Sequence, residues 1–285
     1  MTSGQRVALA LGGGGARGYA HIGVIRELEE RGHEIVAVAG TSMGAVIGGL
    51  YCAGTLDPYT EWVIGLTQRD VIRLLDPSIK APGLIKAEKV MSRVRELLAG
   101  KRIEDLPIPF TAVATDLIAQ KEVWFQSGPV EAALRASIAI PSAIAPVIVD
   151  GRLLADGGLL NTVPIAPLTS ARADVVIAVS LTGPRILPTS LPAGKAATAP
   201  DDSAAQIPLG LRTLDVVEMA LESMQRLITR YRMSAYPPDV LIELPTDAAG
   251  TLDFHRASEL IELGRQRTRS VLDRGTDGSS SRAPG

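Results

Sequence analysis

Two glycine-rich turns in the first 54 residues constrain the fold of this chain more than any other feature. Each turn follows a short apolar run: residues 12–18 follow the run at 6–11, and residues 40–44 follow the run at 34–39. Continuous apolar runs of this length are typical of strands buried on both faces of a parallel sheet. A helical pattern comes after each turn, so strand, turn and helix occur twice in succession. This order predicts an α/β fold with right-handed crossovers.

The rest of the chain continues this alternation of helices and strands. We predict helices at 19–32, 45–53, 57–68, 86–99, 129–137, 209–233 and 256–266. We predict strands at 110–115, 122–126, 174–180 and 240–244, and a tight hairpin of 147–151 and 152–155 around Asp150-Gly151. The Asp-Gly dipeptide favours the type I′ turn of such hairpins. Together these elements predict a single domain over residues 6–270.

The longest predicted helix, 209–233, has an apolar side. Its members are Val217, Leu221, Met224, Leu227, Ile228 and Tyr231. Because the apolar stripe of a surface helix normally faces the core, we expect it to be buried against the sheet. Contact with a membrane surface is the alternative use of such a stripe.

Two segments differ in composition from the rest of the chain. Residues 184–207 contain repeated prolines among Ala, Ser, Thr and Gly, which predicts a flexible loop, with a lid over the active site as the alternative. Residues 273–285 are polar and rich in serine, which predicts a disordered tail.

Composition argues against several classes of protein. The 29 Lys and Arg residues against 31 Asp and Glu give a net charge of −2, and only 4% of residues are aromatic, so nothing favours nucleic-acid binding. Cys52 is the only cysteine and the histidines are His21, His33 and His255, which excludes intrachain disulfides and the usual Cys/His metal spacings. With no signal-peptide pattern and no long apolar stretch, we expect a cytoplasmic protein whose membrane contact is peripheral.

The second glycine turn reads G-x-S-x-G, with Ser42 at its centre between Gly40 and Gly44. In a sharp strand-to-helix turn of this kind, the small flanking residues let neighbouring backbone pass closely, and the serine hydroxyl projects from the sheet edge. The N-terminus of the following helix also favours developing negative charge. The sequence therefore predicts that Ser42 is a nucleophile.

The first glycine turn contains G-x-G-x-x-G at Gly13, Gly15 and Gly18. A dinucleotide site of this type needs an acidic residue at the end of the second strand, where this chain instead has the turn of Ser42. A P-loop needs a Lys-Ser or Lys-Thr pair that is missing here. The loop N–H groups are more simply explained as donors to the oxyanion of acyl transfer.

A nucleophilic serine needs a general base, and two residues are candidates. His255 is the only histidine after Ser42, in the order Ser–acid–His that is usual for α/β hydrolases. Asp156 follows a predicted strand and precedes two glycines, and a carboxylate there can accept the hydroxyl proton directly.

Three ordered motifs resemble those of the patatin-like phospholipase family, especially its bacterial members. They are GGGARG at 13–18, GTSMG at 40–44 and DGG at 156–158. The resemblance spans roughly residues 6–180. It implies a three-layer α/β fold in which a mostly parallel central sheet is flanked by helices.

The same resemblance assigns the site residues. It implies a Ser–Asp dyad in which Ser42 is the nucleophile and Asp156 the base. It places the oxyanion hole in the glycine loop, at Gly13, Gly14 and Gly15, with Arg17 beside it.

The sequence thus predicts a serine acyl hydrolase that cleaves fatty-acyl esters of phospholipids, lysophospholipids or related lipids without a metal or organic cofactor. The N–H of Met43 is a further candidate donor to the oxyanion. We expect His21 and Cys52 to be packed in the interior, and His255 to lie at the surface. A catalytically silent regulatory or scaffold protein of the same fold is one alternative. A nucleotide-binding oxidoreductase that uses the glycine loop for pyrophosphate is another.

Overall fold

The computed structural model describes residues 4–75, 88–141, 143–184 and 213–277, and within these ranges the chain forms one eight-stranded sheet with helices packed around it. The strands are β1 (Arg6–Leu11), β2 (Glu34–Thr41), β3 (Phe110–Asp116), β4 (Lys121–Phe125), β5 (Val147–Val149), β6 (Arg152–Asp156), β7 (Val175–Gly183) and β8 (Val240–Pro245). The α-helices are α1 (Ala20–Glu30), α2 (Met43–Cys52), α3 (Leu56–Ile64), α4 (Gln68–Leu75), α5 (Glu88–Leu98), α6 (Val130–Ser137), α7 (Thr213–Ala235) and α8 (Ala257–Asp277).

The centre of the sheet is parallel and one end is antiparallel. The strand order is β5-β6-β3-β2-β1-β7-β8, and β4 also pairs with β3. Strands β3, β2, β1, β7 and β8 run parallel to one another, whereas β4 and β6 pair antiparallel with β3, and β5 pairs antiparallel with β6. This confirms the predicted mostly parallel α/β sheet. Because the carboxyl ends of parallel strands meet at one edge, the turns after β1 and β2 lie side by side.

The central strands have apolar side chains on both faces. In β1, Val7, Leu9 and Leu11 pack in the core formed with α1, α2 and α8. Ala8 and Ala10 face the other side, where Met233 of α7 also packs. All five side chains are fully buried, as expected for a continuous apolar run inside a sheet.

Two helices predicted in the amino-terminal half of the chain have different bounds in the structure. The helix predicted at 57–68 is α3, which ends earlier, at Ile64, with Gly65 as its C-cap. A separate helix that was not predicted, α4, begins at Gln68, and the Asp70 N–H in its first turn donates to the Thr67 hydroxyl. The helix predicted at 19–32 is α1, which ends at Glu30 and follows a 3-10 helix at Gly15–Tyr19. The predicted hairpin is confirmed, since Asp150 and Gly151 both have the positive φ of a type I′ turn.

The carboxyl-terminal helix is longer than predicted. α8 extends to Asp277, so the predicted disorder of 273–285 is wrong for its first five residues, and the rest of that segment lies outside the described residues. Interactions with α1 explain the extension: the buried Glu27 carboxylate accepts from Arg269 at 2.9 Å, and Arg31 pairs with Asp273 at 2.8 Å. The predicted loop at 184–207 lies outside the described residues apart from Pro184.

The predicted burial of the apolar side of α7 is also wrong. Met224, Leu227 and Tyr231 are exposed on this helix, because its polar side chains face the protein instead. Among the helices that the structure describes, none is long and apolar enough to span a membrane.

Close packing of α2 on β1 gives a test of this architecture. A Cβ added at Gly44 would lie 2.1 Å from the carbonyl oxygen of Leu11. We expect Gly44→Ala to lower the free energy of unfolding by about 1–3 kcal/mol, since overpacking forces the backbone to move. Urea denaturation measures this change. Gly65→Ala is the matched control, because its Cβ would meet nothing closer than 3.6 Å and its φ is −78°. Equal stability of the two variants would contradict the packing of α2 on β1.

Candidate active site

The turn between β2 and α2 holds Ser42 in a strained backbone conformation. Ser42 has φ 55° and ψ −124°, values that a non-glycine residue adopts only when the surrounding structure imposes them. It precedes the first residue of α2, Met43, so its hydroxyl lies at the amino end of a buried helix. The turn therefore has the geometry of a nucleophile elbow, as the G-x-S-x-G pattern predicts.

A serine that the sequence analysis did not single out fixes this elbow. The backbone N–H of Ser42 donates to the Ser137 hydroxyl at 2.7 Å, and that hydroxyl donates to the Val113 carbonyl at 2.7 Å. Ser137 is the last residue of α6 and is fully buried. The sequence gives little indication of this role, since a single serine at the end of a short helix is common in proteins.

The hydroxyl of Ser42 contacts a single carboxylate. Ser42 Oγ donates to Asp156 Oδ2 at 2.6 Å, and the other oxygen, Oδ1, accepts from the Gly158 N–H at 2.7 Å. Asp156 ends β6 and pairs with Ala114 of β3, while the neighbouring Val113 pairs with Thr41. The sheet register thus brings two residues 114 positions apart in the chain into direct contact.

The environment of Asp156 suits a proton acceptor near neutral pH. Burial raises the pKa of Asp156 from 3.8 to about 6, although the hydrogen bonds from Ser42 and Gly158 act in the opposite direction. Above this pKa the carboxylate is ionised and can accept the Ser42 proton.

The glycine loop after β1 lies directly beside Ser42, but not all of its N–H groups point to an anion. The Gly13 N–H donates to the Thr162 carbonyl at 2.9 Å, so its predicted role as an oxyanion donor is wrong in this structure. Within the described residues, the N–H groups of Gly14, Gly15 and Met43 have no protein acceptor. These three remain the candidate donors. Gly13 instead lets the loop pass close to the elbow, since a Cβ at position 13 would lie 3.2 Å from the Cβ of Ser42.

Arg17 lies beside the glycine loop and lines the same cavity as Ser42. Its guanidinium donates to the carbonyls of Gly14 at 3.1 Å, Leu181 at 3.2 Å and Thr246 at 2.9 Å. These contacts join the glycine loop to the ends of β7 and β8. We therefore assign Arg17 to positioning the loop.

The histidines and the cysteine are not part of the dyad. His21 Nε2–H donates to the Gly12 carbonyl at 2.7 Å, and burial lowers the pKa of His21 to about 4, so the ring is neutral near pH 7. Cys52 is fully buried, and burial raises the pKa of its thiol well above its ordinary value. His255 is partly exposed and does not line the cavity at Ser42.

A cavity of about 620 Å³ opens at the dyad. Its lining includes Ser42, Asp156 and the glycine loop, together with residues of α7 and of the loop 249–253. The α7 side chains that line it are Met219, Leu221, Glu222 and Gln225. Sequence analysis did not predict a role for α7 in the site. Within the described residues, no group of three or more His, Cys, Asp and Glu side chains could hold a metal ion.

The fold and this site define an α/β protein with a serine–aspartate pair at a nucleophile elbow. The family model described as "Patatin-like phospholipase" matches residues 9–169, and the chain belongs to this family. Membership in the family suggests a lipid hydrolase.

Several curated proteins are similar to this chain over most of its length. It is 43% identical to the "Uncharacterized NTE family protein Rv1063c" of Mycobacterium tuberculosis, over 95% of this chain and 92% of that protein. It is 29% identical to "Patatin-like phospholipase domain-containing protein 7" of Mus musculus, over 95% of this chain and 21% of that protein. It is also 29% identical to "Lysophospholipase NTE1" of Coccidioides immitis, over 95% of this chain and 18% of that protein.

The pKa of Asp156 predicts the pH dependence of any turnover that uses it as a base. We expect kcat/KM for a soluble ester to be constant above about pH 7 and to fall about tenfold per pH unit below about pH 6, because the protonated carboxyl cannot accept a proton. A pH–rate profile measures this acid limb. The His255→Ala variant should show the same acid limb. If the acid limb disappears in His255→Ala, an imidazole and not Asp156 controls the pH dependence.

Arg17 gives a separate test of the glycine loop. We expect Arg17→Ala to lower kcat on the order of 10²-fold with a smaller effect on KM, because the N–H groups of Gly14 and Gly15 lose their fixed position. Steady-state kinetics on a soluble ester measure the effect, with circular dichroism as the check on folding. Arg93→Ala is the control, because Arg93 is only partly exposed, pairs with Glu96 and does not line the cavity. Turnover of Arg17→Ala at the wild-type rate would contradict a positioning role.

Proposed function

We propose that this protein is a serine acyl hydrolase that cleaves fatty-acyl esters of phospholipids, lysophospholipids or related lipids. The observation that carries the proposal is the 2.6 Å hydrogen bond from Ser42 Oγ to the buried carboxylate of Asp156, within a strained elbow. Strain of this kind persists at functional sites, where the rest of the fold compensates for it.

The first half of the reaction transfers the acyl group to the protein. Ser42 Oγ attacks the ester carbonyl carbon while its proton passes to Asp156, and the N–H groups of Gly14, Gly15 and Met43 stabilise the oxyanion. The tetrahedral intermediate then collapses, the bond to the alcohol oxygen breaks, and the alcohol leaves with the proton from Asp156. The product on the protein is an ester of Ser42.

The second half releases the fatty acid. Asp156 accepts a proton from a water molecule as that water attacks the acyl carbonyl carbon. Collapse of this second tetrahedral intermediate breaks the bond to Ser42 Oγ, and the proton returns from Asp156 to the serine. A carboxylate base needs no histidine for either step.

The cavity supports a lipid substrate. Its volume of about 620 Å³ lies within the range of sites for small organic ligands. Apolar side chains that suit an acyl chain line it: Ile140, Leu159, Met219, Leu221 and Leu252. The lysophospholipase name of the Coccidioides relative agrees with this class of substrate. A cytoplasmic setting, with transient contact between the protein and a membrane surface, is part of the same proposal.

Two substitutions test the dyad directly. We expect Ser42→Ala to abolish turnover and Asp156→Asn to lower kcat by at least about 10²–10⁴-fold, since the amide preserves shape but cannot accept the proton. The assay is a panel of p-nitrophenyl esters, phospholipids and lysophospholipids, with labelling of Ser42 by a fluorophosphonate probe.

His255→Ala is the control for this experiment, because a Ser–Asp–His triad would make it as damaging as Asp156→Asn. Wild-type turnover in folded Ser42→Ala would contradict the hydrolase mechanism. Failure of the folded wild-type protein to react with the probe or any ester would instead favour a catalytically silent protein of this fold.

A further inference from the structure

Helix α7 has its polar side against the protein. Arg226 donates to the Thr246 hydroxyl at 2.6 Å and pairs with Glu222 at 3.1 Å. Arg232 donates to Glu122 of β4 at 2.8 Å, and Thr229 is buried between these contacts. The interior side of α7 is therefore held by hydrogen bonds and ion pairs.

The opposite side of α7 is apolar and faces outward. Its exposed residues follow one another at intervals of three and four and form what we call the α7 face: Val217, Ala220, Met224, Leu227 and Tyr231. Four of their side chains are exposed by half or more: Val217 by 53%, Leu227 by 51%, Met224 by 60% and Tyr231 by 70%. With the partly exposed Leu221 and Ile228 at its margin, the apolar sector covers roughly 120° of the helix circumference.

An apolar sector of this width normally faces a core. On α7 it points into solvent, and contiguous exposed apolar surface of this kind marks an interaction site.

The α7 face is continuous with the catalytic cavity. Met219 and Leu221 line that cavity from the same helix, and Met219 is also half exposed. An acyl chain could therefore pass from an apolar layer against the α7 face into the cavity without crossing water.

One basic side chain of α7 can meet a surface outside the protein. Arg226 is held by Glu222 and Thr246, and Arg232 by Glu122, which leaves Arg230. Arg230 is exposed next to Tyr231, and within the described residues it has no ion-pair partner. Basic residues beside an apolar sector are typical of helices that lie in the headgroup region of a bilayer.

A second copy of the chain fits these observations less well. The apolar sector is wider than the two-position seam of a coiled coil.

We propose that the α7 face docks on the surface of a phospholipid bilayer, with a preference for anionic headgroups, and orients the cavity mouth toward the lipid. This rests on the proposed function, because lipid hydrolysis is what gives the contact its purpose. The α7 face inserts among the headgroups while the polar side of α7 stays bound to the protein.

Vesicle flotation tests the proposal independently of turnover. The protein carries Ser42→Ala throughout, and the vesicles are phosphatidylcholine alone or with phosphatidylglycerol. We expect flotation to be stronger with phosphatidylglycerol and to weaken with added salt. Combined Met224→Ser, Leu227→Ser and Tyr231→Ser should lower the bound fraction by about tenfold or more. None of these three side chains lines the cavity.

Ile148→Ser is the matched control, since this side chain on β5 is 75% exposed and lies on a different element. Flotation of the triple variant at the level of this control would overturn the proposal. So would a wild-type dimer in light scattering that the triple variant disperses, if the wild type does not float.

The same triple substitution in protein with Ser42 intact separates docking from chemistry. We expect unchanged hydrolysis of a soluble p-nitrophenyl ester and at least tenfold slower hydrolysis of vesicle lipid. An equal loss on both substrates would contradict a docking role. Absence of any hydrolysis by the wild type would count against the proposed function alone, because flotation is measured without turnover.

Discussion

The contact between Ser42 and Asp156 is the interaction on which the site depends. It joins the end of β2 to the end of β6 through a 2.6 Å hydrogen bond in the interior. Both partners need the surrounding sheet: Ser42 is held in a strained conformation, and Asp156 is buried where its pKa rises to about 6. A carboxylate exposed to water would be a weaker base, and a relaxed serine would not be held at this position.

The segment after Asp156 connects this pair to the glycine loop. The Thr41 hydroxyl donates to the Asn161 carbonyl at 2.8 Å, and the Gly13 N–H donates to the Thr162 carbonyl at 2.9 Å. Elbow and loop are thus both tied to one short stretch, 156–162. The positions of the nucleophile, the base and the N–H donors are therefore set together and not one at a time.

The same network reaches α7. The Asn161 side chain donates to Glu122 at 2.7 Å, and Glu122 also accepts from Arg232 of α7. The polar side of α7 is consequently fixed by the site, which leaves its apolar side outward. This arrangement links the chemistry of the cavity to the surface through which a lipid would reach it.

The sequence by itself determined the elements whose patterns are local. The apolar runs of β1 and β2, the two glycine turns and the Asp150-Gly151 hairpin depend on neighbouring residues, and they form as predicted. Ser42 could be proposed as the nucleophile for the same reason, since the elbow needs small residues within two positions of it. Asp156 is one of two candidate bases in the sequence, and the resemblance of three motifs to a known family favours it over His255.

Only the tertiary structure decided which remote groups these elements meet. Four glycines in a row present N–H groups, but the sequence does not show that the Thr162 carbonyl occupies the one at Gly13. The role of Ser137 depends on α6 ending beside the elbow. Periodicity showed that α7 has an apolar side, yet the direction of that side was set by polar partners on β4 and after β8. A hydrogen-bond partner or the exposed side of a helix depends on segments that are distant in the chain, and the local pattern carries no information about them.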